Sequence, residues 1–130
     1  MSTPTTLPKP QGVLLISPFE EDHEIFGDLF RRRGWRLEHA SSIGEASALL
    51  SENPAAVVIT ERDLSRGNWK DVLEAMGSMP SPPLLIVISR LADEHLWAEA
   101  LNLGAYDVLA KPLDHTEIAR VLNLAMNHRQ

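Results

Sequence analysis

Five short, predominantly apolar segments recur along the chain, and a longer segment with helical spacing of apolar residues follows each of them. The apolar segments are residues 12–16, 35–40, 56–60, 84–88 and 106–109. Apolar runs of this length are typical of strands that are buried on both faces of a sheet. Strands that alternate with helices form a parallel sheet with right-handed crossovers. The pattern therefore predicts an α/β fold with a doubly wound five-stranded parallel sheet.

Start and stop signals delimit the predicted helices. Ser42, Asn68 and Asp114 are capping residues, and a glutamate follows three residues after Ser42 and Asp114 to complete a capping-box pattern. Gly34 and Gly104 come after two of the predicted helices, where glycine ends a helix without strain. The predicted helices cover about residues 20–33, 43–51, 69–76 and 93–103, and a fifth helix begins after Asp114.

The length of the chain, 130 residues, leaves room for one domain. Residues 1–11 contain three prolines and three threonines and have little to bury, so they are predicted to form a disordered N-terminal tail. The folded domain is predicted to cover residues 12–130. Because the sequence ends where the last helix should finish, a stand-alone domain and a fragment of a longer protein both remain open.

Composition excludes several classes of function. The absence of cysteine excludes disulfides and thiolate chemistry. A net charge of -6 disfavours non-specific binding to nucleic acid, and no apolar run is long enough to span a bilayer. The first residues lack the features of a secretion signal. We therefore expect a cytoplasmic location, with neither nucleic acid nor membrane as a partner.

The carboxyl ends of the predicted strands are the place to look for a site. In doubly wound sheets ligands bind at this edge, because the loops that follow the strands meet there. The relevant loops follow Ile16, Thr60, Ile88 and Ala110.

Three motifs at these ends occur with a joint spacing that is more specific than any one of them. Ser89 follows the fourth strand, Gly104-Ala105 precedes the fifth, and Lys111-Pro112 follows the fifth. In this spacing residues 12–130 resemble the receiver domains of bacterial response regulators, which have a flavodoxin-like (βα)5 fold and act in two-component phosphorelay signalling. The resemblance implies that Ser89 and Lys111 contact a phosphoryl group, and that the bond between Lys111 and Pro112 is cis.

The sequence departs from the family at the phosphoacceptor position. Receivers place there an aspartate that attacks the phosphoryl donor, and the matching residue is Glu61. Glutamate is one methylene longer, and in-line attack tolerates displacement poorly. Its fixed charge lies about where an aspartyl phosphate would carry its own. We interpret Glu61 as a partial phosphomimic in an atypical pseudo-receiver, and we do not favour the nearby Asp63 as an alternative acceptor.

The loop after the first strand also lacks residues that the receiver family uses. Receivers use two acidic residues after the first strand to hold Mg²⁺, and the matching residues are Ser17 and Pro18, which cannot replace carboxylates. Glu20, Glu21 and Asp22 follow closely, and we interpret them as solvated charges in the first turn of a helix. No cofactor is therefore expected, and Mg²⁺ binding should be weak or absent.

Arg90 is a further departure, because receivers usually have a small residue after the Ser or Thr of the fourth strand. An arginine there could pair with Glu61, and Lys111 is the competing partner. A basic group that pairs with Glu61 in the absence of a metal would hold the domain permanently in one signalling conformation.

The resemblance also implies a protein partner, which could be a histidine kinase, an effector or a second copy of the chain. Receivers use the face made by the fourth helix, fifth strand and fifth helix for such contacts. The candidates on this face are Trp97, Leu101, Tyr106 and Val108. Val108 matches the position of the aromatic that couples the site to this face, and Tyr106 is predicted to lie on the same face of the strand.

Other functions of this architecture remain as alternatives. A conventional phosphorylatable receiver is the main one. Cobalamin-binding domains use Asp-x-His-x-x-Gly after the first strand, to which Glu21, His23 and Gly27 come close with a spacing error of one residue. Flavin binding is disfavoured, because the acidic loop after the first strand would repel the phosphate of the cofactor. The other histidines lack metal-ligand spacing, namely His39, His95, His115 and His128. The predicted domain is a signalling module that is not an enzyme.

Overall fold

The computed structural model describes residues 12–129 and shows ten elements in strict βα alternation. In chain order they are β1 (Val13–Ile16), α1 (Glu20–Arg33), β2 (Leu37–Ala40), α2 (Ile43–Glu52), β3 (Val57–Glu61), α3 (Trp69–Gly77), β4 (Leu84–Ser89), α4 (Glu94–Leu103), β5 (Asp107–Ala110) and α5 (His115–Arg129). The predicted order of elements is confirmed. The tail predicted for residues 1–11 lies outside the described residues.

The five strands form one parallel sheet in the order β2-β1-β3-β4-β5. The register aligns their carboxyl ends, since Ile16 pairs with Thr60 and Glu61 pairs with Ile88. Ser89 pairs with Ala110 at the last position of the β4–β5 ladder. The predicted doubly wound sheet is therefore confirmed, and the polar residues that follow its strands meet at one edge.

Alternate residues of the central strands face two separate apolar layers. In β1, Leu14 and Ile16 pack with α2, α3 and α4, while Val13 and Leu15 pack with α1 and α5. The same alternation holds in the other central strands, which are almost wholly buried. Covering both faces explains why these strands have continuous apolar sequences.

The start of β2 differs from the prediction for a local reason. β2 begins at Leu37, because the backbone N–H of Trp35 donates to the carbonyl of Phe30 at 2.9 Å and the two rings pack edge to face. Trp35 thus belongs to the end of α1.

The capping residues take their predicted places. The Asn68 side chain accepts from the N–H of Lys70, and Asp71 accepts from the N–H of Asn68. Ser42 accepts from the N–H of Glu45, but the Glu45 carboxylate bonds Ser41, so the second half of that capping box falls one residue earlier.

The last helix carries the buried stripe that its sequence indicates. This stripe consists of Ile118, Val121, Leu122 and Ala125, which pack on the α1 side of the sheet. Within residues 12–129 no helix combines the length and the apolar character that crossing a membrane demands.

Gly67 is the glycine whose replacement the fold tolerates least. Its φ is +96°, and an added Cβ would lie 2.5 Å from the Asp71 carboxylate that caps α3. We expect Gly67→Ala to lower the free energy of unfolding by more than about 1 kcal/mol, because it combines left-handed strain with loss of the cap. Urea denaturation measures the change.

Gly44 provides the matched control for this substitution. It lies in α2 with no atom within 4 Å of an added Cβ. Gly44→Ala should raise the free energy of unfolding by about 0.5–1 kcal/mol, as expected for a helical glycine. Equal effects of the two substitutions would contradict the conformational role assigned to Gly67.

Candidate functional site

A buried lysine links the ends of two strands to the first turn of α1. The Lys111 Nζ, which follows β5, lies 2.6 Å from Oε1 of Glu61 at the end of β3. The same Nζ donates to Oδ2 of Asp22 in α1 at 2.8 Å. The exposed fractions of the three side chains are 9%, 7% and 3% for Lys111, Glu61 and Asp22. One ammonium group therefore holds two carboxylates away from water.

The two oxygens of Glu61 have different partners. Oε2 accepts the backbone N–H of Arg62 at 3.0 Å. Oε1 is buried and lacks a hydrogen bond with good angles, although Lys111 Nζ is only 2.6 Å away. The short distance between opposite charges decides the character of this contact, which is an ion pair without a directed hydrogen bond.

Asp22 is a member of the site that the sequence interpretation missed. It was expected to be solvated, but its carboxylate is buried. The Ser17 hydroxyl donates to Asp22 Oδ2 at 2.6 Å and accepts the N–H of Phe19 at 3.0 Å. This serine and Lys111 together satisfy the carboxylate inside the protein. The signal in the sequence was a serine at the end of β1 with an acid five residues later.

An aromatic ring covers the remaining side of the ammonium group. Lys111 Nζ lies 4.7 Å from the centroid of the Phe19 ring, which is within cation–π range. Phe19 is itself partly exposed to solvent. Lys111 is thus enclosed by two carboxylates and one ring.

The structure brings Ser89 and Arg90 beside this cluster without direct contact to Glu61. Both line an open pocket of about 290 Å³ together with Glu61 and Lys111. The Ser89 hydroxyl accepts the N–H of Leu91 at 3.0 Å. Arg90 is exposed and lies 3.6 Å from Glu21. The hypothesis that Arg90 pairs with Glu61 is therefore wrong, because Lys111 reaches the carboxylate from inside the fold.

Pro18 and Pro112, which were predicted to line the pocket, line neighbouring clefts instead. Pro18 lines a cleft of about 480 Å³ between the β1–α1 and β2–α2 loops. Pro112 lines a cleft of about 780 Å³ beside α1. The bond between Lys111 and Pro112 is cis, which confirms that prediction.

The donor set does not suit Mg²⁺. Mg²⁺ requires near-octahedral oxygen ligands, but Ser17 and Pro18 offer no carboxylate. The carboxylates of Asp22 and Glu61 share the Lys111 ammonium group. Glu21 and Asp63 also line the pocket, where Glu21 lies 3.6 Å from Arg90. Over residues 12–129, no three or more His, Asp or Glu side chains form a group arranged for a metal ion. The cation position between the carboxylates is filled by the chain itself.

A histidine pair next to the site was also missed. The sequence spacing of His39 is not that of a metal ligand, but its Nδ1 lies 2.8 Å from Nδ1 of His23. Burial and then the charge of His23 lower the pKa of His39, while the charge of Glu20 opposes them. Burial and the neighbouring ring thus favour the neutral form of His39.

The candidate interface residues do not form one surface. Trp97 is 50% exposed and Leu101 is partly exposed, but Val108 is only 8% exposed and packs under α4. Tyr106 packs on the opposite layer, and its hydroxyl lies 2.7 Å from Nδ1 of His128. The expectation that Tyr106 and Val108 share a face is wrong, because β5 begins only at Asp107.

Curated relatives match most of this chain. The photosynthetic apparatus regulatory protein RegA of Cereibacter sphaeroides is 27% identical over 112 residues, covering 86% of this chain and 61% of RegA. The acid tolerance regulatory protein ActR of Rhizobium meliloti is 32% identical over 90 residues, covering 69% of this chain and 46% of ActR. The chain therefore spans between about half and three fifths of the length of these relatives.

Solved structures share the fold. The signal receiver domain of a putative LuxO repressor protein from Vibrio parahaemolyticus superposes with a TM-score of 0.86 at 16% identity, covering 93% of each chain. The family profile described as response regulator receiver domain matches residues 13–123. With the βα order, the strand-end Lys111 and the cis Pro112, this match places the chain in the response regulator receiver domain family.

Proposed function

We propose that this receiver domain is a pseudo-receiver, which signals by binding a protein partner in the cytoplasm and does not accept a phosphoryl group or act as an enzyme. The observation that carries the proposal is the position of Lys111 Nζ, 2.6 Å from Glu61 and 2.8 Å from Asp22. An internal cation occupies the space between the carboxylates of the site.

Phosphoryl transfer requires features that these residues do not supply. A metal ion normally neutralises the charge that develops on the transferred group. Three cations line the pocket, namely Arg62, Arg90 and Lys111. Lys111 is the one whose side chain contacts Glu61, and it is already paired with Asp22. The nucleophile is displaced by one methylene, and both oxygens of Glu61 are engaged, by Arg62 and by Lys111. These features support a domain in which the charge at the Glu61 site is set by the sequence and is not changed by phosphorylation.

The first test is direct phosphorylation. Incubation of the full chain with acetyl phosphate and Mg²⁺, followed by intact-mass measurement, is expected to give no phosphoryl adduct. Glu61→Asp restores the length of the family acceptor and serves as a comparison. An adduct on the unaltered chain that disappears in Glu61→Gln would establish the alternative, a conventional phosphorylatable receiver.

The second test concerns the role of the ammonium group. Lys111→Met leaves Asp22 and Glu61 buried without a cation, so we expect it to lower the free energy of unfolding by about 3–5 kcal/mol. Glu61→Gln should cost less, because Lys111 keeps its hydrogen bond to Asp22. Urea denaturation at pH 7 measures both changes.

The chain offers a matched control for this pair of substitutions. Lys70 lies 2.6 Å from Glu99, but their side chains are 49% and 34% exposed. Lys70→Met should change the free energy of unfolding by about 1 kcal/mol or less, since water screens exposed pairs. A comparable loss in Lys70→Met and Lys111→Met would remove the support for a buried charge cluster.

The proposed partner contact centres on α4. Trp97 is half exposed. Leu101 lies one turn later and is partly exposed, so the two side chains form an aromatic and aliphatic patch of the kind enriched at interfaces. A histidine kinase, an effector or a second copy of the chain are the candidate partners of a receiver.

Trp97→Ala tests this surface. Sedimentation equilibrium of the chain, and capture of a candidate kinase or effector on the immobilised chain, should show at least about a tenfold loss of affinity, as for an aromatic anchor. Glu52→Ala on the distant helix α2 is the control and should have no effect. Unchanged affinities in Trp97→Ala would exclude α4 as the contact.

A further inference from the structure

Two histidine rings meet in a cleft that the Glu61 site does not use. His23 lies in α1, His39 lies in β2, and their Nδ1 atoms are 2.8 Å apart. The ring centroids are 5.0 Å apart and the ring planes are inclined by 46°. Both rings line the open cleft of about 480 Å³ between the β1–α1 and β2–α2 loops.

The protonation of His23 follows from its other nitrogen. Its Nε2 lies 2.8 Å from the carbonyl oxygen of Ser17. A carbonyl oxygen only accepts hydrogen bonds, so Nε2 carries the proton and the lone pair of neutral His23 is on Nδ1. That lone pair points toward His39, whose Nδ1–H donates to it. An imidazole that donates one N–H to a backbone carbonyl and presents its other nitrogen is the usual arrangement of a metal-binding histidine.

The two nitrogens are close enough to bind one ion together. With metal–nitrogen distances of about 2.0 Å, two ligands at a right angle place their nitrogens about 2.8 Å apart, whereas a tetrahedral angle places them about 3.3 Å apart. The observed separation of 2.8 Å is that of the hydrogen bond between the rings, and a small rotation of the exposed His39 ring reaches either arrangement. Square-planar or tetragonal geometry with nitrogen and oxygen ligands is preferred by Cu²⁺ and Ni²⁺.

The walls of the cleft carry negative charge, which favours a cation. Glu20, Glu24 and Glu45 line it together with the two rings. Glu45 is held by the N–H and the hydroxyl of Ser41. Because residues 12–129 contain no ready-made group of three ligands, water would fill the remaining positions, and a moderate affinity follows.

We propose that His23 and His39 form a two-nitrogen binding site for a divalent transition-metal ion of tetragonal preference, with Cu²⁺ bound most tightly and Ni²⁺ less tightly. The ion takes the position between the two Nδ1 atoms, the single proton of neutral His39 moves from its Nδ1 to its Nε2 by exchange with solvent, and rotation of the exposed His39 ring about its Cβ–Cγ bond directs both lone pairs to the ion. Cu²⁺ exceeds Ni²⁺ in affinity for most such sites.

Binding would connect this cleft to the buried cluster. His23 is bonded to the carbonyl of Ser17, and the Ser17 hydroxyl holds Asp22. An ion on the two rings would tie α1 to β2 beside the loop that carries this serine. Metal binding could therefore alter the Asp22–Lys111 cluster without any phosphoryl chemistry.

The test is titration of the untagged full chain with Cu²⁺ by calorimetry, together with electron paramagnetic resonance of the loaded protein. We expect one ion per chain with a micromolar dissociation constant, and a spectrum of a tetragonal Cu²⁺ with two nitrogen ligands. His39→Ala should weaken binding at least tenfold and remove one nitrogen from the spectrum. His95→Ala, which alters an exposed histidine on α4, is the control and should leave binding unchanged.

A second measurement covers the case in which a variant is less stable. Saturating Ni²⁺ should raise the melting temperature of the unaltered chain and of His95→Ala by several degrees, but not that of His39→Ala or His23→Ala. A dissociation constant above about 1 mM, or unaltered affinity in both His23→Ala and His39→Ala, would overturn the proposal.

Discussion

The site depends on a single buried positive charge. Removing an ion from water costs several kcal/mol, and a buried carboxylate is tolerated only when a cation or hydrogen-bond donors compensate it. Lys111 compensates Asp22 and Glu61 together, and Ser17 and the N–H of Arg62 provide the remaining bonds. The loop after β1, the end of β3 and the loop after β5 are therefore held together by charge as well as by the apolar layers.

The strand ends of this receiver fold meet at an internal ion pair. The parallel register brings the residues after each strand to one edge, and in this chain that edge holds its own cation. Ser89 lies beside the cluster but bonds the backbone of Leu91. The side chains at the ends of β3 and β5 are thus engaged with each other and with the first turn of α1.

Much of the fold could be predicted because its determinants are local. Apolar runs, capping residues such as Asn68 and a stop glycine such as Gly104 act within a few neighbours in sequence. The contacts of the site are not local. Asp22 looked like a solvated helix charge, since nothing near it in sequence shows that Lys111 will arrive from the opposite end of the chain. Arg90 is adjacent in sequence to the pocket, yet it points to solvent and Glu21.

The hydrogen bond between Asp22 and Lys111 spans 89 residues of sequence. A contact of such separation requires closure of a long loop, which is entropically costly until the intervening elements have docked. β1 and β5 are also separated in the sheet by β3 and β4. The charge cluster therefore requires β1, β3, β4 and β5 to be docked together, and its burial reports the long-range closure of the sheet from β1 to β5.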